Sequence, residues 1–344
     1  MSQAKVDLRS QIVGIGHAMC DVSAELEPQA WNAFRMEFPW MTSGLPVHID
    51  EARAHTVLSF LEKEAARGEG SLSYAAGGAA LNAMRVASLL GAKASFVGVV
   101  GEDPCGDVVR AGLHAAGVEA LLEVPAGSEG TGIFCTVRLV TSRADSFAER
   151  FVFASPAVAR RVRDVDVDGF DLDHVAIIHA EGLLADSPRN LEALFRRARG
   201  MHAMVSLDAA SSEATRRNRD VLSALIRQYA DFVFCNKAEF EALNPSIQDY
   251  SPDTVWVIQR DRAGVDCRAR GQTLHVDAPR CAVVDEVGAG DAFAGAFLAA
   301  HLAGKPLALC LELGTEAAAC ALQSRGPAPD EARLRTLFRE FLAG

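Results

Sequence analysis

Short apolar, β-branched runs alternate with stretches of helical period through most of the chain. No other feature of the sequence constrains the fold as strongly. Strands are expected at Gln11–Gly16, Ala94–Val100, Val175–Ala180, Ala203–Leu207, Asp231–Cys235 and Thr254–Gln259. Helices are expected between and after them, at Gly78–Leu90, Gly106–Ala116, Pro188–Arg199, Asn218–Gln228 and Lys237–Leu243. In the first helix Leu81, Met84, Ala87 and Leu90 recur at helical spacing, and Gly91 stops the run. Repeated strand–helix units imply an α/β fold, a doubly wound and mainly parallel sheet flanked by helices. Three successive helices then follow, at Ala289–Gly304, Pro306–Gln323 and Asp330–Leu342.

Some pieces cannot join that sheet by short connections. Asp21–Leu26 alternates polar and apolar residues, as a half-exposed strand does. Thr131–Thr141 and Arg150–Ala154 are short strand-like runs amid Gly and Ser. They are expected to form a small β-sheet lid, built from segments within about 18–75 and 119–156. With no repeat and no linker, the whole chain, 1–344, is expected to be one domain carrying this lid.

Composition narrows the class. A chain of 344 residues that is 49% hydrophobic can bury its own core without a metal or disulfide staple. The net charge of -11 argues against nucleic acid and against an anionic membrane surface as partners. The most apolar stretch, Ala292–Gly304, is too short to span a bilayer. The start of the chain carries Asp7 and no apolar core, so no secretory signal is expected. Eight cysteines without a CxxC pair read as reduced thiols in the cytoplasm. The histidines lack HExxH spacing.

Four segments stand out. In Asp285-Glu286-Val287-Gly288-Ala289-Gly290-Asp291, an expected strand at Ala282–Val284 runs into a turn without bulky side chains, and a helix runs out. Open amides at a helix start hold anions, phosphate above all. Asp291 falls in the first turn, where a carboxylate can take a proton from a hydroxyl beside a phosphoryl group. A plain strand-to-helix turn accounts for this segment equally well. Gly77-Gly78 opens the helix that carries Asn82, which can bond a hydroxyl; an ordinary loop–helix junction is the bland alternative. Asn236 and Glu239 follow a strand end, where hard oxygens suit Mg²⁺; a solvated helix start is the bland alternative. Gly98–Gly106 reads as a structural turn. Gly14 and Gly16 form a GxG, but Met19 stands where a dinucleotide fingerprint needs a third Gly.

In their order, GGxxxN, GxVGxDxxG, NxxE and DxxGAGD, these segments resemble the PfkB (ribokinase-like) family of sugar and nucleoside kinases, from about Ile12 to Gly326. The resemblance implies a ribokinase-like fold with a β lid and an ATP-dependent kinase. It implies Asp291 as catalytic base, and Gly288, Ala289 and Gly290 as the anion hole. Asp21, Gly77, Gly78 and Asn82 match positions that bind acceptor hydroxyls, and Glu181 lies where some members contact substrate. Asn236 and Glu239 match residues that organise Mg²⁺ and the nucleotide phosphates. Gly264 is the one residue kept from a nucleotide-contacting TxGxxG turn, with Gln259 and Asp261 in place of Thr and Gly. Asp285, Val287 and the backbone near Gly326 match a monovalent-cation (K⁺) site of some members. Glu286 departs from the family's small or β-branched residue, and Asp208 lacks the Asn and Arg that follow it in several sugar kinases. Relatives often pair through the lid, so the resemblance admits a homodimer.

The acceptor stays open between a sugar and a nucleoside. Trp31, Phe34, Phe38 and Trp40 either stack on a purine or pack the lid, and Gly44–Asp50 is faintly like adenosine-kinase-like members. Arg150 meets a ligand or is an ordinary surface residue. A fold-retaining binding protein without turnover, motivated by Glu286 and Asp261, and a nicotinamide oxidoreductase, motivated by Gly14 and Gly16, are the other readings.

Overall fold

Strands that are apolar on both sides can be buried only where both faces of the sheet are covered. The computed structural model, which describes residues 11–43, 46–127, 129–140, 150–165, 174–243, 250–324, 326 and 330–343, covers them so. Thr141 and Glu149, like Asp7, Gly44 and Leu45, lie outside the described residues. The first part of the chain runs β1 (Gln11–Ile15), β2 (Met19–Leu26), α1 (Pro28–Glu37), β3 (Pro46–His48), α2 (Glu51–Ala66), β4 (Gly70–Gly77), α3 (Ala79–Leu89), β5 (Lys93–Val99), α4 (Pro104–Ala115), β6 (Glu119–Glu123), β7 (Gly132–Leu139) and β8 (Arg150–Ser155). The second runs β9 (Val175–Glu181), α5 (Pro188–Gly200), β10 (Met204–Asp208), α6 (Ser212–Arg217), α7 (Arg219–Tyr229), β11 (Phe232–Asn236), α8 (Lys237–Leu243), β12 (Val255–Gln259), β13 (Val265–Ala269), β14 (Gln272–Val276), α9 (Ala289–Leu302), α10 (Leu307–Leu322) and α11 (Glu331–Ala343).

The main sheet has nine strands in the order β14-β13-β12-β11-β10-β9-β1-β5-β6. It is parallel from β12 to β6, and the β13–β14 hairpin closes one edge antiparallel. The strand period of two sorts its side chains into two cores. Ile12, Ile177, Phe234 and Val257 pack under α3, α9 and α10, while Val13, Ile178, Leu207, Val233 and Trp256 pack under α5 and α7. The expected doubly wound α/β fold is therefore present, with element ends shifted by one or two residues.

A second sheet has the order β3-β8-β7-β2-β4 and mixes parallel and antiparallel pairs. Its two faces differ in chemistry. Cys20, Val22, Ala24 and Leu26 of β2, with Ile133, Cys135 and Val137 of β7, are buried against Trp31, Phe34 and Phe38 and against Val57, Leu58 and Leu61 of α2. Asp21, Ser23 and Glu25, with Thr136 and Arg138, look the other way. The aromatics of the long segment after β2 thus pack helices onto this sheet, on the face opposite the polar one. Among the described residues no helix is long and apolar enough to cross a membrane, and all eight cysteines are free.

Candidate active site

Chain order reverses between β1 and β9. In open parallel sheets ligands bind at such a reversal, beyond the carboxyl ends of the strands. Glu181 closes β9, Asp208 closes β10, Asn236 closes β11 and Gln259 closes β12, so all four stand at that end. The N-terminus of α9 meets them: a Cβ on Gly290 would lie 3.2 Å from Gln259 Oε1.

α9 starts after Gly288, whose φ of +80° only a glycine adopts readily, and no side chain caps it. Its first-turn amides are thus left for an anion, and the helix dipole adds positive charge. The strand expected at Ala282–Val284 does not form. The amides of Val284 and Asp285 donate instead to Leu322 O at the end of α10, at 2.7 and 3.2 Å, so a helix end rather than a strand satisfies this backbone.

Asp291, the third residue of α9, accepts a hydrogen bond of 2.9 Å from Asn82 Nδ2 of α3. Asn82 Oδ1 is buried and has no protein partner, an unsatisfied acceptor beside the Asp291 carboxylate. The two helices come close because residue 295 is glycine: a Cβ there would lie 2.2 Å from Ala83 O. Burial raises the Asp291 carboxyl to about 7; the Asn82 bond opposes that rise, and the charges of Glu181 and Glu239 add to it.

Asp21 faces Asp291 from the second sheet. Burial, then the charge of Asp291, pushes it up to about 8, with Arg85 opposing. Gly77 makes room for it, since a Cβ there would lie 2.1 Å from Asp21 Oδ1. Gly78 has φ +113°, and a Cβ would lie 2.0 Å from His17 O. Asp21, Gly77, Gly78, Asn82 and Asp291 are therefore brought together, as are Gly288, Ala289 and Gly290.

Glu181 is different. It is 1% exposed, and its oxygens accept from His17 N and Nδ1 at 3.1 and 3.0 Å and from Ala80 N at 3.0 Å. Burial alone would raise it, but these bonds and the His17 charge outweigh that and hold it low. The geometry makes Glu181 a brace between the β1–β2 turn and the start of α3, where a substrate contact was expected.

Asn236 and Glu239 close on each other. Asn236 N and Nδ2 donate to the two Glu239 oxygens, both at 2.8 Å, and Glu239 N donates to Asn236 Oδ1 at 2.9 Å. This reciprocal cap starts α8. Burial raises Glu239 despite these bonds. Asp208, which accepts from Ala210 N at 2.7 Å, is raised well above its ordinary value by burial and by the charges of Glu239 and Asp291. Gly264, at φ +87°, ends the turn after β12, and Asp261 is exposed there. Glu286 is exposed too, and pairs with Arg150 at 3.3 Å instead of turning into the anion cradle.

The polar face of the second sheet, Asp285, Val287 and Gly326 enclose a cavity of about 150 Å³. Ser23, Ser71, Ser73, Thr136 and Arg138 line it, with Phe134 as the aromatic of the wall. Sequence reasoning missed these hydroxyls and Arg138. The two-residue alternation of Ser71, Ser73 and Ala75 was the available signal for β4, and that of Phe134, Thr136 and Arg138 for β7.

The family model for pfkB family carbohydrate kinases matches residues 49–333, and the chain belongs to that family. It is 29% identical over 261 residues to acarbose 7(IV)-phosphotransferase of Actinoplanes sp., covering 67% of this chain and 75% of the relative. To a fructokinase of Klebsiella pneumoniae it is 28% identical over 252 residues, covering 67% and 78%. The crystal structure of a probable sugar kinase from Rhizobium etli matches with a TM-score of 0.78 at 25% identity, covering 96% of this chain and 98% of that one. Adenosine kinase from Sinorhizobium meliloti shares the fold, with a TM-score of 0.79 at 24% identity and coverage of 96% and 99%. The protein is a phosphotransferase of this family, and the oxidoreductase reading falls. Gly14 and Gly16 serve packing instead, against Met84 and Glu181.

Proposed function

We propose that the protein transfers the γ-phosphoryl group of ATP to a hydroxyl of a small sugar held in the cavity between the second sheet, acting as a lid, and the segment Asp285–Val287 that leads into α9. The observation that carries this is Asp291, raised to about 7, held by Asn82 in the same helical turn as the open amides. Asp291 takes the hydroxyl proton as the acceptor oxygen bonds to the γ-phosphorus and the bond to the ADP oxygen breaks. The amides of Gly288, Ala289 and Gly290 hold the charge of the group in transit. Asn82 Oδ1 and Asp21 orient the acceptor. The lid excludes water, a competing nucleophile.

Glu239 and Asp208 are hard oxygen donors whose burial leaves their charge uncompensated, which fits Mg²⁺ with the nucleotide phosphates. Both Glu239 oxygens already accept hydrogen bonds, so we assign contact through water. When bound, the ion supplies charge neutralisation at the phosphates. Gly264 shapes the turn that carries Gln259 beside the cradle. The free thiols fit a reducing compartment such as the cytoplasm.

A sugar is favoured over a nucleoside because hydroxyls and charges dominate the cavity wall, while Trp31, Phe34 and Phe38 are spent in the lid core. ADP release with ATP and Mg²⁺ over a panel of sugars and nucleosides tests this. Release with a sugar is the expected result. Faster release with adenosine would overturn the acceptor, and none with any compound that binds would turn the protein into a binding module.

A further inference from the structure

The resemblance implies a monovalent-cation site at Asp285, Val287 and Gly326, and the residues present do not fit one. Asp285 is 4% exposed and both its oxygens are taken. Oδ1 accepts from Val287 N at 3.2 Å. Oδ2 accepts from Gly326 N at 3.1 Å and from Arg138 Nη2 at 2.6 Å. Val287 and Gly326 thus turn N–H groups toward the carboxylate and satisfy part of its charge alongside the guanidinium. The positive charge that a buried carboxylate requires is already there, delivered by a strand of the second sheet. Arg138 is itself held, since its Nη1 donates to Ser23 Oγ at 3.1 Å, and both residues line the cavity.

We propose that Arg138 is a positioning residue that does the work of a bound monovalent cation. Its guanidinium fixes Asp285, three residues before Gly288, and so fixes the segment that aims the first-turn amides of α9. Because it rises from β7, it also joins the acceptor wall to the anion cradle, so the two assemble as one unit. Its effect on turnover rests on the kinase reading. A tethered guanidinium needs no ion from solution, so the protein is indifferent to potassium.

The test compares wild type, Arg138→Met, Arg138→Lys and the double variant Arg138→Met/Asp285→Asn in KCl, NaCl and choline chloride at equal ionic strength. Melting temperature and steady-state kinetics are both read. Wild type is expected to show the same Tm in the three salts, and kcat within about twofold. Arg138→Met loses about 10- to 100-fold in kcat, the scale of a cradle displaced by an ångström, with a smaller change in acceptor KM. Potassium or millimolar guanidinium restores part of Tm and kcat in Arg138→Met, but not in the double variant, which lacks the carboxylate. Arg138→Lys keeps most of both. Specific activation or stabilisation of wild type by potassium overturns the proposal. So does an Arg138→Met protein that neither ion changes. Failure of the wild type to phosphorylate any acceptor strikes the kinase reading alone, because the Tm comparison still reads the Asp285 site.

Discussion

A carboxylate that takes a proton from an alcohol near neutral pH works best when its own affinity for protons is matched to that pH. Asp291 reaches about 7 because it is buried beside other acids, against the opposing pull of the Asn82 hydrogen bond. Asp291→Asn is expected to leave the fold intact by circular dichroism and to lower kcat by about 10²- to 10⁴-fold. In wild type kcat/KM should rise with pH through about 7, as the base form of Asp291 appears. The same burial carries a cost in stability. Asp21 and Asp291 are raised in the folded protein above their ordinary carboxyl value of 3.8, so the native state binds protons that the unfolded chain releases. Their contribution is full below that value and is lost as pH climbs to about 7 for Asp291 and about 8 for Asp21. Asp21→Asn removes one titration. Between pH 5 and pH 8 the ligand-free variant should therefore lose less stability than wild type, by roughly 1–3 kcal/mol in denaturant melts.

At the scale of elements, the site depends on how closely helices approach. The Asn82–Asp291 bond spans 209 residues of sequence and exists because Gly295 lets α9 lie against Ala83 of α3. Gly295→Val should push the helices apart at a cost of about 1–3 kcal/mol, the usual range for overpacking. Its kcat should fall further than its Tm predicts, because the bond that holds Asp291 opens. A loss of stability with kcat unchanged would show that the bond does not matter. The helix expected from Gly78 was legible because its apolar residues keep a 3.6 period and a glycine ends it. The strand expected at Ala282–Val284 looked equally plain, as three apolar residues before a turn. It failed because backbone partners came from the end of α10, which no local pattern announces.

Across the whole molecule, the second sheet spends its apolar face on its own helices. Trp31, Phe34, Phe38, Leu58 and Leu61 cover it, and the other face lines the cavity. A homodimer joined through a face of the lid would have to displace one or the other. We therefore expect sedimentation equilibrium at micromolar concentration to give the mass of one chain, 36.6 kDa. A dimer that Tyr74→Pro abolishes would instead locate pairing on the β4 edge, where this residue alternates out of the β2 ladder and a proline removes an outward backbone donor.

The doubly wound sheet, the glycine-rich start of α9 and the helix-start positions of Asn82 and Asp291 were legible in sequence, because period, turn chemistry and helix-start chemistry are local properties; Asp21 stood out only through the family resemblance. What local pattern could not decide was which charges meet. Glu181 became a brace because β9 ends beneath Ala80 and His17. Glu286 was drawn to Arg150, and Asp285 to Arg138, across more than a hundred residues. Electrostatic partnership depends on distance through space, and only the packing of the second sheet against the first sets those distances.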